Sequence, residues 1–306
     1  RGDRAAPTLG ETRVRVRVDR VPMIDLDAIA RESLAAVAAR FPRPEDGTAD
    51  PDEIDVAIMD PLTRSWGGVR ADRYRYPASL AKLFHLAFAQ HEIERGRLAD
   101  TPELRRAMSD MIVLSSNDGT SLVVDAATKT TGGPELSKRE FAEWSRRRKR
   151  IDRFFRVRGY GPLTVRHKTY NEGAYGREMQ GFSPDDTNPN SLSPLDAARL
   201  MADLTAGRIA ARRRRAIFAF LARPDRFENQ RLMFLTGELG PEYLVWSKAG
   251  WVREMRHDVA RIRTPSGREW VIAAFSDGWR LVPDALPTLG REILDRLARA
   301  ETDTDR

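Results

Sequence analysis

Residues 75–84 read RYPASLAKLF, a proline followed by a serine and a lysine three positions apart. The pattern after Pro77 predicts a helix over 79–92. Residues three apart share one face of a helix, so the Lys82 amine can reach the Ser79 hydroxyl. At the helix start Ser79 also lies beside backbone N–H groups that no helical carbonyl uses. A serine attacks only with a base to take its proton and with donors for the oxyanion that forms. A lysine serves as that base only when burial or neighbouring cations depress its pKa. Alone, the pair reads as two ordinary residues of an amphipathic helix.

The chain on either side supplies a frame. Arg13 to Asp19 alternates valine with arginine as a half-buried or edge strand does, and a helix is expected over 26–41. Ile54–Met59 and Trp66–Val69 read as short strands joined by a turn at Asp60-Pro61. Helical spacing then dominates, over 79–92, 102–114, 118–127, 137–148 and 194–206, the last opened by Ser193 as cap and Pro194 at the first helical position. Between 159 and 189 it lapses into a glycine-bearing loop, of a length that inside a compact domain usually carries function. Three strands follow, Tyr243 to Ser247, Val259 to Arg263 and Trp270 to Phe275, then a helix over 287–300 and an acidic tail from Glu301 that is expected to fray. Strands at both ends around a helical middle predict a single α/β (mixed α+β) domain. An antiparallel sheet with flanking helices would come from about 1–76 and 242–306, and an inserted all-helical subdomain from about 77–241.

Composition narrows the chemistry. Of 306 residues 41% are hydrophobic and 32% charged, the balance of a soluble globular protein, and no run of about 18 uncharged apolar residues exists to span a bilayer. There is no cysteine, which excludes disulfides, thiolate metal sites and cysteine nucleophiles, and the four histidines lack a His-Glu-x-x-His spacing, so no metal or other cofactor is expected. The net charge of +7 comes from 52 basic against 45 acidic residues. Arginines concentrate in Arg146-Arg147-Arg148-Lys149-Arg150 and Arg212-Arg213-Arg214-Arg215. Both tracts lie in helical patterns without interleaved aromatics for stacking on bases, so they read as solvated helix faces and no nucleic-acid partner is expected.

Two more stretches bear on Ser79. MIVLSSNDGT (111–120) places Ser115-Ser116-Asn117 in a turn after an apolar helical run; on its own it reads as a cap for the helix beginning near Asp118. VWSKAGWVREMRHDVARI (245–262) places Lys248 two residues before Gly250 at the end of an apolar strand, where on its own it reads as a strand terminus meeting a turn. Together and in this order the three resemble the active-site set of serine β-lactamases and penicillin-binding proteins: Ser-x-x-Lys, Ser-x-Asn, Lys-Thr-Gly. With their surroundings, YPASLAKLF, MIVLSSNDGT and SKAGWVREMRHDVARI resemble the class A β-lactamase-like family over most of residues 50–280.

The resemblance implies Ser79 as acylated nucleophile, Lys82 in its proton relay and Ser115 as the shuttle to the leaving nitrogen. It implies Asn117 orienting the substrate amide and Lys248-Ala249-Gly250 as the third motif, its lysine facing the substrate carboxylate. It implies oxyanion donors at the backbone N–H groups of Ser79 and Trp251. Arg256 lies on the following strand, where some members carry a carboxylate-binding arginine; it reads equally as a surface arginine. Two departures are plain: Ala249 lacks the hydroxyl of Lys-Thr-Gly, and the family's Glu-x-x-Leu-Asn string, whose glutamate activates the deacylating water, does not occur. The loop KTYNEGAYGREMQGF (168–182) offers Glu172 as first choice for that water, beside Asn171 and nearby glycines, and Glu178 as second.

The function implied is hydrolysis of a small-molecule β-lactam amide through a Ser79 acyl-enzyme. The missing glutamate string suggests the alternative of a D,D-peptidase or esterase acting on a peptidoglycan-like substrate with slow β-lactam turnover. A non-catalytic binder of peptidoglycan or nucleic acid on the same fold is the reading from a different class. The resemblance further implies a secreted or periplasmic protein, a monomer being favoured; the sequence opens at Arg1 with no signal-type apolar segment.

Overall fold

The strand β1 (Ile54–Met59) is buried at every position, and its side chains divide by parity. Ile54, Val56 and Ile58 join one apolar cluster, Ala57 and Met59 another. Successive strand side chains point to opposite faces, so a strand buried on both lies between two layers. The computed structural model describes residues 24–41, 53–182, 190–223, 234–279 and 282–304, and the strand expected over Arg13 to Asp19 lies outside the described residues.

The other strands are β2 (Trp66–Val69), β3 (Leu244–Val252), β4 (Met255–Arg263) and β5 (Glu269–Ser276). They form one antiparallel sheet in the order β2-β1-β5-β4-β3. Strands from both ends of the chain thus share it, as the sequence predicts. Helices α1 (Leu26–Arg40) and α9 (Ala285–Thr304) pack on the face that takes Val56, Ile272 and Ala274. On the other face lie α2 (Ala81–Glu94) and α7 (Pro194–Thr205), with α3 (Pro102–Val113), α4 (Asn117–Thr128), α5 (Lys138–Arg148), α6 (Arg150–Arg156) and α8 (Arg214–Leu221) completing the helical part.

Helix α2 is buried at every residue from Ala81 to Glu92. That overturns the amphipathic reading of this segment: a helix enclosed on all sides is a core helix, and Lys82, His85 and Gln90 go into the interior with it. Short polar residues begin its neighbours as expected. Thr101 accepts from Leu104 N before Pro102, Ser137 and Glu140 form a reciprocal capping box, and Ser193 accepts from Asp196 N before Pro194.

Several elements differ from expectation. β3 and β4 extend into the charged and small residues between them, because Gly250↔His257, Trp251↔Arg256 and Val252↔Met255 continue the hairpin register. Arg146, Arg147 and Arg148 end α5, Arg150 opens α6, and Arg214 and Arg215 open α8; α6 and α8 are helices that the spacing did not predict. Arg148 is not on a solvated face: it is 1% exposed and paired with Asp125 and Glu178 at 2.9 Å each. The acidic tail is not frayed at Glu301, since α9 continues to Thr304 and the Glu301 carboxylate accepts from Trp270 Nε1 at 2.8 Å. Among the described residues no helix is long and apolar enough to cross a membrane.

Candidate active site

The segment that carries Ser79 is a tight turn before it is a helix. Ala78–Leu80 forms one turn of 3-10 helix, with Leu80 N donating to Pro77 O at 3.1 Å. Ala78 has φ +48°, a left-handed conformation that costs a residue with a Cβ about 1–2 kcal/mol and persists where surroundings impose it. Here two contacts do so. His257, buried on β4, bonds the Tyr76 carbonyl through Nε2 at 3.0 Å, while its Nδ1 accepts from Ser276 N at 3.1 Å. Because Nδ1 accepts, the ring proton sits on Nε2 and is donated to Tyr76. The second contact is Gly250 on β3: a Cβ there would lie 2.6 Å from both Leu80 N and Pro77 O and 3.1 Å from Ser79 N. Only glycine permits that approach, which sets the β3 backbone leading into Trp251 against that of Ser79. The Trp251 ring is 42% exposed.

One turn along, Lys82 is fully enclosed. Its amine lies 3.0 Å from Ser79 Oγ, 2.8 Å from Asn117 Oδ1 and 3.3 Å from Ser115 Oγ, and it donates to Ser115 O. Burial without a carboxylate partner pushes its pKa down to about 7, so near neutrality a large share of the amine is free to accept a proton.

Ser115 is reached from the other side by Lys248 Nζ at 3.1 Å, which also donates to Ala249 O at 2.6 Å. The Ser115 hydroxyl thus stands between two lysine amines. Burial, then the charges of Lys82 and Arg223, hold the Lys248 pKa well below its ordinary value. Ser115 has φ +58° and is not the cap of α4; that task falls to Ser116, which accepts from Gly119 N at 3.0 Å. The division of labour leaves Ser115 and Asn117 for the site.

Asn117 turns its oxygen to Lys82 and its nitrogen to the 159–189 loop, donating to Tyr170 O and Asn171 Oδ1 at 3.0 Å each. Asn171 in turn donates to Asp118 Oδ1 at 3.3 Å. The two loop acids behave differently from expectation. Glu172 is exposed and bonds to none of the other site residues among those described. Glu178 is buried, in contact with Arg148 (2.9 and 3.0 Å), Lys168 (2.9 Å) and the Tyr170 hydroxyl (2.9 Å). Burial raises its pKa, but Arg148 and Lys168 outweigh it and hold the carboxyl below its usual value. Its partners fasten the loop to α5, and Tyr170 passes that anchorage to Asn117. Neither glutamate touches Ser79 or Lys82.

Arg256 is 7% exposed and its Nη1 donates to Met255 O at 2.7 Å and Arg253 O at 3.4 Å. These contacts tie it to its own hairpin turn rather than to Ser115 or Lys248. Ala249 stands opposite Asp258 on β4, whose carboxyl burial pushes up to about 6 against the pull of Arg223 and Lys248. Sequence reasoning missed His257 and Arg223. Each is visible in the sequence only as a basic residue next to a strand or helix end, and its partners lie far away in the chain.

A buried helix opening on a serine and lysine, closed by an edge strand with a second lysine, defines a β-lactamase/transpeptidase-type fold. The chain belongs to the β-lactamase enzyme family, whose model matches residues 36–300. Among solved structures it is similar to an ancestral class A β-lactamase, that of the last common ancestor of Gram-negative bacteria, at 17% identity over 89% of this chain and 99% of that one, TM-score 0.61. A β-lactamase from Xanthomonas campestris pv. campestris matches at 14% identity over 90% and 100%, TM-score 0.64. A mutant of PBP-A, as an acyl-enzyme complex with penicillin G, matches at 17% over 90% and 97%, TM-score 0.64. At these identities the likeness is one of fold. No curated protein matches the sequence.

Proposed function

We propose that this protein is a serine hydrolase that opens β-lactam amides through an acyl-enzyme on Ser79. The observation that carries the reading is the enclosed Lys82 amine, 3.0 Å from Ser79 Oγ and with its pKa pushed down to about 7. Neutral Lys82 takes the hydroxyl proton as Ser79 Oγ forms the C–O bond to the substrate carbonyl. The carbonyl oxygen gains the charge and meets the N–H groups of Ser79 and Trp251. The C–N bond then breaks with its electron pair on nitrogen, which takes the Ser115 proton, and Lys82 returns its proton to Ser115 across their 3.3 Å contact. Lys248 supplies positive charge for a substrate carboxylate, and Asn117, held by the loop, orients the amide. Water then cleaves the ester and frees Ser79. With this reading goes the expectation of a secreted or periplasmic monomer.

The loop favours a second reading for the last step. With Glu178 occupied by Arg148 and Lys168 and Glu172 exposed, release of the acyl group is slow, as in a D,D-peptidase or esterase that shares the acylation chemistry. Intact-protein mass after exposure to a penicillin tests both. A mass increase of one penicillin, lost in Ser79→Ala, supports the acyl-enzyme. Its persistence for hours marks the slow-release enzyme, and its rapid decay with product formation marks the β-lactamase. No adduct and no turnover with several β-lactams and activated esters removes both.

A further inference from the structure

The net charge of this chain is local. Residues 129–158, from the cap of α4 through the turn after α6, hold eleven basic and four acidic residues, while the rest of the sequence holds 41 of each. Helix α6 turns Ile151, Phe154 and Phe155 into the core, where Phe155 meets Phe84 and Phe154 meets Phe88 edge to face at 4.9 and 5.4 Å. Arg153 and Arg156, three apart, therefore share the opposite, exposed side of the helix. Lys149, just before α6, is exposed too.

These three cations and Arg166 line a cavity of about 320 Å³ whose one acid is Asp152. Asp152 is 2% exposed and already engaged, accepting from Val165 N at 2.8 Å and from Arg166 Nη1 at 2.6 Å. The side chains of Lys149, Arg153 and Arg156 make no hydrogen bond or ion pair among the described residues. Farther along, Arg158 lies over the Phe154 ring at 3.8 Å and donates to Phe154 O at 2.8 Å. Burial, and then the nearby charges of Arg95 and Arg97, hold its guanidinium below the ordinary pKa against the opposing pull of Tyr160. Like charges gathered in this way repel one another, and a surface of fixed negative charge relieves them.

Val157, 73% exposed, stands between Arg156 and Arg158. An apolar tip flanked by cations suits the boundary between lipid headgroups and acyl chains. A nucleic-acid strand calls instead for exposed rings to stack on its bases, and Phe154, Phe155 and Tyr160 are all buried.

We propose that the outer face of α6 docks on an anionic phospholipid surface, with a headgroup phosphate seated among Lys149, Arg153, Arg156 and Arg166. Guanidinium groups match phosphate oxygens in pairs. Glu92, which accepts from Arg150 at this end of α2, lies ten residues and about 15 Å along the helix from Lys82. The docking face and the Ser79 turn are thus at opposite ends of α2, and docking needs none of the chemistry proposed above.

The test is flotation of the protein with phosphatidylcholine vesicles, with and without about one third phosphatidylglycerol, at about 50 and about 500 mM salt. Binding is expected to the anionic vesicles alone, and to weaken about tenfold or more at the higher salt. Lys149→Gln/Arg153→Gln/Arg156→Gln should weaken it about 100-fold, at about fivefold for each basic residue near such a surface. Arg31→Gln/Arg40→Gln/Arg299→Gln removes the same charge from exposed positions on α1 and α9, across the sheet. Screened by distance, that variant should stay within about twofold of the unmutated protein. Val157→Ser should weaken vesicle binding about threefold. Thermal melts check that each variant folds, and where the first triple variant does not, Arg153→Gln alone carries the test at about fivefold. No binding to anionic vesicles at low salt, or equal losses in the two triple variants, overturns the assignment. A DNA duplex bound as tightly as the anionic vesicles at matched salt overturns it in favour of a nucleic-acid face.

Discussion

Gly250 and Leu80 approach so closely that a single added carbon would lie 2.6 Å from the Leu80 nitrogen. The strand that carries Lys248 is docked through this contact onto the turn that carries Ser79, so the two halves of the site are fixed by one missing side chain. Gly250→Ala should push β3 off the turn. We expect a stability loss of about 1–3 kcal/mol, typical of overpacking, and a fall in acylation rate of about 100-fold, the cost of a lost oxyanion donor. Denaturant unfolding and penicillin acylation kinetics check the two together. An unchanged acylation rate would show that the approach is incidental.

Acylation should follow the titration of Lys82. With the neutral amine as the proposed base, the rate rises as pH increases through about 7 and then levels. Lys82→Arg, permanently protonated, should lose acylation at every pH while Ser79 remains in place. A rate constant that is flat from pH 5 to 8 contradicts the assignment of Lys82 as base.

Buried histidines, three of the four above all, should make the fold acid-sensitive. Burial pushes His85 and His257 down to about 4 and His167 to about 3, and neither ring nitrogen of His167 has a partner among the described residues. With depressed folded pKa values, the unfolded chain takes up protons first, so stability is fully present above about 6.5 and falls as pH drops below it. Each ring then removes up to about 1.4 kcal/mol per pH unit until its folded value is reached. Protonation of His257 also abolishes the Ser276 N–H bond to Nδ1. Urea midpoints between pH 7 and 4.5 should fall, and a His85→Phe or His167→Phe variant that folds should show a shallower slope. A flat midpoint over that range contradicts the burial argument.

Glu178 and Glu172 should separate cleanly. Glu178→Gln leaves Arg148 and Lys168 enclosed with a weaker partner, and breaking a buried pair costs about 3–5 kcal/mol, whereas exposed Glu172→Gln should stay within about 0.5 kcal/mol. Loosening the loop through Tyr170 should also slow acylation, because Asn117 loses its anchor. Thermal melts and adduct lifetimes measure both. If Glu172→Gln lengthens the adduct lifetime while leaving its formation unchanged, then Glu172 reaches the deacylating water despite its exposure.

Much of this molecule is legible along the chain. Short runs on either side of the Asp60-Pro61 turn mark Ile54–Met59 and Trp66–Val69 at their observed ends, and Ser193-Pro194 opens α7 where expected, because turn and cap signals are local properties of a few adjacent residues. The ordered motifs around Ser79, Ser115 and Lys248 are legible for a different reason: they belong to a family pattern, and the structure brings their polar atoms within 3.3 Å of one another along the chain Ser79, Lys82, Ser115, Lys248.

What only the tertiary structure decided is the fate of the long charged side chains. Lys82 is a core residue because α2 is enclosed by neighbouring helices such as α3 and α4 and by one face of the sheet, and its depressed pKa follows from that enclosure. Arg148 leaves an apparently solvated tract for Glu178, thirty positions away. Arg256 turns to the carbonyls of its own hairpin, and Arg223, far from it in the chain, bonds to the backbone of β3 at Ser247. Periodicity reports which way a backbone points a side chain; the partner at the end of a long, flexible side chain is chosen by segments that meet only when the chain has folded.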